Sequence, residues 1–185
     1  MNKKENMPEV KNTQIVELRS ENIQQFVTFY FGEHFFGLPI DDVIEINRAL
    51  ETTPVPLAPS YVFGVVNLRG QILTAIHLAK RINLVECCQD YEKDGDGNKK
   101  EKRFHNVITG NKEEPVCLLV ERIGDVMAVP VSQIEKAPDM LKGVDTRFVQ
   151  NVCKLPSQLL IILDSAAIEA PDSTQKNIGE ENRAA

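Results

Sequence analysis

The sequence predicts a mainly β fold with two five-stranded β-barrels, and three observations lead to that prediction. Short runs of β-branched and aromatic residues recur along the chain, with turn-forming residues between them. About nine or ten such runs occur, each roughly four to seven residues long. Long amphipathic helical patterns do not accompany them, which argues against a parallel α/β sheet. One small barrel needs fewer strands, so two barrels fit the number of runs better.

The first elements in chain order are an N-terminal arm and a hairpin. Residues 1–23 are polar, mixed in charge and poor in apolar residues, which predicts a flexible arm. Residues 24–170 are expected to form one domain of two intertwined barrel units. It opens with strands at 26–31 and 35–40 around a Gly32-Glu33 turn. Five phenylalanines in this hairpin exceed what one core face needs, so a partner contact is considered beside core filling.

The next segment, residues 41–50, predicts a short helix. Asp41 or Asp42 is placed to cap its first turn. Val43, Ile46 and Leu50 recur at helical spacing and are expected to face the core. Three prolines between residues 54 and 59 then force an extended passage.

Residues 63–76, FGVVNLRGQILTAI, contain two apolar runs around a polar centre. The runs predict two strands, and HLAKRINL after them predicts a helical turn. Gly70 is suited to a positive φ in the intervening turn, and Gly64 allows another backbone to approach closely.

The second half of the chain begins with residues 86–105, whose turn formers and balanced charges predict a long solvated loop. Strands are expected at 106–109, 116–120 and 126–129, with turns at Gly110-Asn111 and Gly124-Asp125. A last hairpin, 149–155 and 159–163, precedes a helical turn capped by Asp164. Residues 171–185 predict a disordered tail.

Composition excludes several function classes. The formal net charge of -6 argues against nucleic acid and anionic membrane surfaces as partners. No apolar run reaches the roughly 18 residues of a membrane span, so no direct membrane insertion is expected. The N-terminus lacks a secretory signal, and a cytoplasmic location is predicted. The four cysteines form no C-x-x-C unit and are expected to be reduced there.

Catalytic and metal-binding motifs are missing from the sequence. The sequence contains three histidines, His34, His77 and His105, but no nucleophile motif such as G-x-S-x-G. It also lacks both glycine-rich phosphate-binding motifs, G-x-x-x-x-G-K-[ST] and G-x-G-x-x-G. A calcium-loop-like start at residues 94–98 fails because Lys99 stands where glycine is needed. We therefore expect a binding module with no enzymatic activity, no cofactor and no metal.

The stretch APSYVFGVVNLRGQILTAIHLAKRINL resembles the signature of the CheW-like coupling proteins of bacterial chemotaxis, with Asn67-Leu68-Arg69-Gly70 at its centre. Three other segments extend the resemblance over residues 25–168. FVTFYFGEHFFGLPIDDVIEI is similar to the family's opening, VCLLVERIGDVMAVP to its mid-chain strand pair, and LLIILD to its final strand. The ordered set of four segments is much more specific than N-L-R-G alone.

The resemblance implies two five-stranded SH3-like barrels that share a hydrophobic core, and a non-enzymatic adaptor. The implied partners are the cytoplasmic tips of methyl-accepting chemotaxis receptors and the regulatory domain of the histidine kinase CheA. The implied location is the receptor array at the inner membrane. No kinase-binding residue is assigned. The family's receptor-binding positions correspond here to Val43, Glu45, Gly64, Asn67, Arg69 and Gly70.

Alternatives remain at two levels. Thr74 and His77 depart from the proline and aspartate common in the family, so a paralogue serving another chemosensory pathway, such as pili or surface sensing, stays open. A ligand-binding β-barrel outside chemotaxis is the other alternative, and the absence of Trp counts against it. Arg69 itself has two interpretations, receptor recognition or an internal ion pair with Asp125 or Glu121.

Overall fold

The computed structural model describes residues 22–88, 91–93, 99–110, 113–141 and 143–171. The predicted arm up to residue 21 and the predicted tail from residue 172 lie outside the described residues. Strands dominate, which confirms the mainly β prediction. The strands are β1 Ile23–Phe31, β2 His34–Pro39, β3 Val43–Asn47, β4 Thr52–Thr53, β5 Val62–Leu68, β6 Gln71–His77, β7 Tyr91–Lys93, β8 Lys99–Glu101, β9 His105–Gly110, β10 Pro115–Val120, β11 Arg122–Pro130, β12 Ile134–Lys136, β13 Val149–Lys154 and β14 Leu159–Leu163. The α-helices are α1 Leu78–Arg81 and α2 Ser165–Glu169.

The long strands are divided between two six-stranded sheets. Sheet 1 has the order β11-β1-β2-β14-β13-β12, and sheet 2 has the order β3-β9-β10-β6-β5-β4. Each contains one parallel pair, β14 with β2 and β10 with β6. Each sheet also has a short edge strand, β12 or β4, beyond the five strands expected. Within the predicted loop at 86–105, β7 and β8 pair as a separate ribbon.

Among the described residues, three apolar clusters form the core: each curled sheet encloses one, and the third lies between the two sheets. The shared cluster contains Phe29 and Phe36 from sheet 1 and Leu118 from sheet 2. Successive residues of a strand face opposite sides, so β10 contributes Leu118 to the shared cluster and Cys117 to the interior of sheet 2. Burial on both faces explains the nearly continuous apolar runs in these strands.

The phenylalanines of the first hairpin all enter this core. Phe29, Phe31 and Phe36 lie in the shared cluster, whereas Phe26 and Phe35 lie inside sheet 1. None of the five is more than 3% exposed. The surplus of aromatic residues is explained by two cores, and none of the five is available for a partner.

The helix predicted at residues 41–50 is wrong, because residues 43–47 form β3. Its backbone pairs antiparallel with β9, with a bulge between Val43 and Glu45. Ile46 is 41% exposed and does not face inward as predicted. The Asp42 carboxylate accepts a hydrogen bond from Ser165 Oγ at 2.7 Å. The β-branched run from Val43 to Ile46 favours a strand once β9 supplies a partner edge.

The turn predicted at Gly124-Asp125 is also wrong, since both residues lie inside β11. A Cβ at Gly124 would stand 2.5 Å from Thr28 Oγ1. The Thr28 hydroxyl donates to the Asp125 carbonyl at 2.5 Å. Gly124 therefore allows close approach of β1 at a register shift between Val27 and Phe29.

Arg81 connects α1 to the C-terminal helix α2. It is buried, and its Nε donates to the Ile168 carbonyl at 3.0 Å, with a further hydrogen bond to the Ala170 carbonyl. The guanidinium also lies 4.4 Å from the centroid of the Tyr61 ring and 5.0 Å from that of Phe148. A cation at the last carbonyls of a helix is favourable, so Arg81 stabilises α2 against the rest of the domain.

Candidate functional site

The turn between β5 and β6 is a two-residue hairpin loop made by Arg69 and Gly70. Leu68 and Gln71 pair across its base. Arg69 has φ 53° and Gly70 has φ 90°, as the tight turns of hairpins require at their central residues. The Asn67 carboxamide oxygen accepts the Gly70 N–H at 2.8 Å. The sequence N-L-R-G therefore fixes a rigid turn with an arginine at its tip.

Arg69 pairs with Glu45, not with the acids considered from the sequence. A terminal guanidinium nitrogen lies 3.0 Å from Glu45 Oε2, and the Arg69 side chain is 79% exposed against 21% for Glu45. The other oxygen of Glu45 accepts from the Asn47 carboxamide. Glu121 is engaged elsewhere, with Lys102 and with the Gly32 N–H at 2.7 Å. Arg69 therefore makes an internal ion pair, as one of its two interpretations expected, but the partner is Glu45 and not Asp125 or Glu121.

The Arg69–Glu45 contact also shows that sheet 2 is strongly curled. Glu45 lies on the edge strand β3, and β9 and β10 separate that strand from the β6 side of the turn. Neighbouring strands are about 4.8 Å apart, so a flat sheet would hold the two side chains well beyond contact. The sheet curls until its β3 edge meets the β5–β6 turn, as expected for a barrel.

Three exposed isoleucines lie close in sequence to the two residues of this ion pair. Ile44 and Ile46 lie beside Glu45 on β3, and Ile72 follows the turn at 63% exposure. Val43 is half-buried and packs on the shared core. Sequence reasoning missed Ile44 and Ile46 as surface residues, because it assigned β3 to a helix, and it did not single out Ile72 on β6. The alternation of Ile44, Glu45 and Ile46 was the signal that a strand offers two different faces.

Gly64 is not part of this cluster. It lies four residues before Leu68 on β5, a distance of about 13 Å along a strand. A Cβ there would stand 2.8 Å from Thr52 Cγ2 and 2.9 Å from the Thr53 carbonyl carbon. Gly64 therefore serves the close packing of β4 on β5. The other five predicted positions lie on β3 or at the β5–β6 turn.

The side chains with catalytic or metal-binding potential include His77 and the thiols of Cys87 and Cys117. His77 is buried and its Nδ1 accepts the Lys80 N–H at 3.4 Å, so it caps α1. Burial raises the pKa of the Cys117 thiol to about 12 and also raises that of Cys87, which keeps both thiols protonated. Among the described residues, no group of three or more His, Cys, Asp or Glu side chains is arranged to hold a metal ion.

A search for membrane-crossing helices in the described residues finds none of sufficient length and apolarity.

Comparison with known proteins matches the model of the CheW-like domain to residues 25–170. The chemotaxis protein CheW of Treponema pallidum is 31% identical over 152 residues, which are 82% of this chain and 85% of that protein. CheW of Bacillus subtilis is 27% identical over 158 residues, 85% of this chain and 94% of that protein. The crystal structure of the scaffolding protein TtCheW from Thermoanaerobacter tengcongensis has a TM-score of 0.68 at 25% identity, covering 82% of this chain and 90% of that one. The likeness confirms the predicted fold class.

Proposed function

Because this chain belongs to the CheW-like domain family, we propose that it is a non-enzymatic scaffold that couples methyl-accepting chemotaxis receptors to the histidine kinase CheA. The related proteins are named for chemotaxis, and the similar solved structure is that of a scaffolding protein. In this proposal the protein works in the cytoplasm, in receptor arrays at the inner membrane.

The geometry of Arg69 and Glu45 carries the receptor-binding part of the proposal. A guanidinium has five N–H donors, and the single bond to Glu45 leaves donors directed at solvent. The turn holds the arginine in one backbone conformation, so little backbone entropy is lost there when a partner binds. Ile72, which follows the turn, supplies exposed apolar area near Arg69 for a helical receptor tip, which needs an apolar contact with a few polar anchors.

The predicted receptor-binding residues take different roles in this scheme. Arg69 is the group that touches the receptor, and Glu45 orients it. Asn67 and Gly70 shape the turn, and Val43 attaches β3 to the core. No residue of this chain is assigned to the kinase contact.

Binding of a receptor cytoplasmic fragment tests the proposal. We expect Arg69→Ala to weaken binding at least about tenfold, the loss typical of a central interface arginine. Lys154→Ala is the matched control, because Lys154 also makes an exposed ion pair, 2.7 Å from Glu135, but on sheet 1. If the wild type, Arg69→Ala and Lys154→Ala bind the receptor fragment with equal affinity, the assignment of this site is contradicted. Binding confined to receptors of another pathway would assign the chain to the paralogue alternative.

A further inference from the structure

A cleft of about 610 Å³ opens at one end of the curled sheet 2. Two of its lining residues, Asn106 at the start of β9 and Leu119 near the end of β10, pair with each other across the sheet. Leu119 also pairs with His77, the last residue of β6, whereas the β5–β6 turn precedes the first residue of that strand. The cleft and the turn that carries Arg69 are therefore separated by the length of β6, about 20 Å.

The floor of the cleft is apolar and continuous with the interior of sheet 2. Leu50 and Phe63 are half-buried, whereas Phe104 is buried. All three line the cleft, and all three belong to the apolar cluster that sheet 2 encloses or pack against it. The rings of Phe63 and Phe104 meet edge to face, with their centroids 5.9 Å apart. Ligand clefts typically measure about 300–1,000 Å³, so this one has room for a large apolar side chain together with the chain on either side of it.

The walls of the cleft carry one acid and one base that no other side chain neutralises. Glu51 comes from the connection between β3 and β4, Arg103 comes from the segment before β9, and both are exposed. Within the described ranges, neither residue makes an ion pair. Lys102, the third charged residue of the lining, is neutralised by Glu121. A complementary ligand therefore carries a cation for Glu51 and an anion for Arg103.

The backbone of both walls is also available for pairing. Residues 49–51 and 102–103 lie outside the strands, and among the described residues no backbone–backbone hydrogen bond uses them. Ala49, Glu51 and Arg103 are exposed, so a ligand with its own backbone can approach these segments. Extended peptides bind by pairing with unpaired backbone, while pockets for their side chains give specificity.

We propose that this cleft binds an extended peptide segment of a partner protein, with a large apolar side chain on the floor of Leu50 and Phe63, a basic residue facing Glu51 and an acidic residue facing Arg103. Burial of the apolar side chain removes the largest apolar area from water. The two charges set the direction of the segment, because the reverse direction places like charges together. The inference goes beyond the scaffold function and does not depend on it.

Fluorescence anisotropy of labelled peptides titrated with the full chain tests the proposal. The probes are the heptapeptides Gly-Ser-Lys-Phe-Asp-Ser-Gly and Gly-Ser-Asp-Phe-Lys-Ser-Gly, which carry the required residues in the two possible orders. We expect one order to bind saturably and the other at least about tenfold more weakly. Replacing the phenylalanine of the better probe with alanine should weaken binding at least about tenfold and leaves the protein itself unchanged. N-methylation of the probe from Lys to Asp should abolish binding, because backbone pairing needs those N–H groups.

Charge reversal in the protein tests the walls. Arg103→Glu should weaken binding of the better probe at least about tenfold, and a probe with lysine in place of aspartate should recover the affinity. Lys136→Glu is the matched control, because it makes the same change of charge at an exposed position on sheet 1. Arg69→Ala should also leave probe binding unchanged, which separates this cleft from the proposed receptor site.

Three results would overturn the proposal. The first is that neither probe binds saturably up to about 1 mM. The second is an equal loss of affinity in Arg103→Glu and Lys136→Glu, which would show that only the net charge of the protein matters. The third is competition by free L-phenylalanine at the affinity of the probe, which would show that the cleft holds a small molecule and not a peptide.

Discussion

The guanidinium of Arg69 lies 3.0 Å from the carboxylate of Glu45, and this contact joins the β5–β6 turn to the edge strand β3. The arginine stays 79% exposed while it makes the pair. An ion pair this exposed adds at most about 1 kcal/mol to stability. The free energy of folding therefore does not explain why an arginine is held at the tip of a rigid turn, which supports the proposed recognition role.

Gly64 and Gly70 should respond differently to alanine. At Gly64 the added Cβ meets Thr52 and the Thr53 backbone, so we expect a loss of about 2–3 kcal/mol in the free energy of unfolding. At Gly70 the Cβ enters open space, and only the φ of 90° opposes it, at about 1 kcal/mol. Urea denaturation of both variants measures the difference. Equal losses would contradict the close packing of β4 on β5.

Removing Arg81 should detach α2. Arg81→Met loses charged hydrogen bonds to the carbonyls of Ile168 and Ala170, and we expect a loss of about 3 kcal/mol. Arg147→Met is the control, because its ion pair with Asp145 is exposed, and it should cost less than about 1 kcal/mol. Thermal denaturation with hydrogen exchange at α2 checks both. A small, uniform effect of Arg81→Met would show that Arg81 does not hold this helix.

Glu169 predicts a pH dependence of stability. Burial raises its pKa above the usual 4.5, and the nearby Asp42 and Asp164 raise it further. Protonation is thus favoured in the folded state, so stability is fully present below about pH 4.5 and falls as the pH rises through the folded pKa. Relative to the wild type, Glu169→Gln should be more stable at neutral pH and should not show this decline. Denaturation of both proteins between pH 4 and about 7 measures the free energy of unfolding at each pH. If that free energy changes with pH in the same way for wild type and Glu169→Gln, the prediction is contradicted.

Asp145 provides a control for the Glu169 prediction, because its contribution to stability should change with pH in the opposite direction. A hydrogen bond from Arg147 lowers its pKa below 3.8, so its contribution to stability is present above that pH and is lost as the pH falls through the folded pKa. Asp145→Asn should therefore differ from the wild type most above pH 3.8 and converge with it in stronger acid.

Local sequence features predicted the hairpins well. The first hairpin, the Arg69-Gly70 turn and the Asp164 cap each depend on residues adjacent in the chain, and all three are present. The cap is seen directly, because Asp164 Oδ1 accepts the Ala167 N–H at 3.0 Å.

Elements that depend on distant partners were missed. The spacing of Val43 and Ile46 is typical of one helix face, but pairing with β9, about sixty residues later, makes this segment a strand in which Val43 packs on the core and Ile46 is exposed. Gly124 looked like a turn residue, but its role is to admit Thr28 from β1. The partner of Arg69 was missed for the same reason, because Glu45 reaches it only after sheet 2 curls.

The central claim is that Arg69 recognises the receptor and is not required for the fold. The most direct measurement is CheA kinase activity in a co-sedimented complex of receptor fragment, kinase and this protein, compared between wild type and Arg69→Ala. We expect Arg69→Ala to change the free energy of unfolding by less than about 1 kcal/mol, to reduce the amount of receptor fragment in the complex and to weaken receptor control of the kinase. A variant that assembles and controls the kinase as the wild type does would contradict the account, as would one whose loss of binding is matched by its loss of stability.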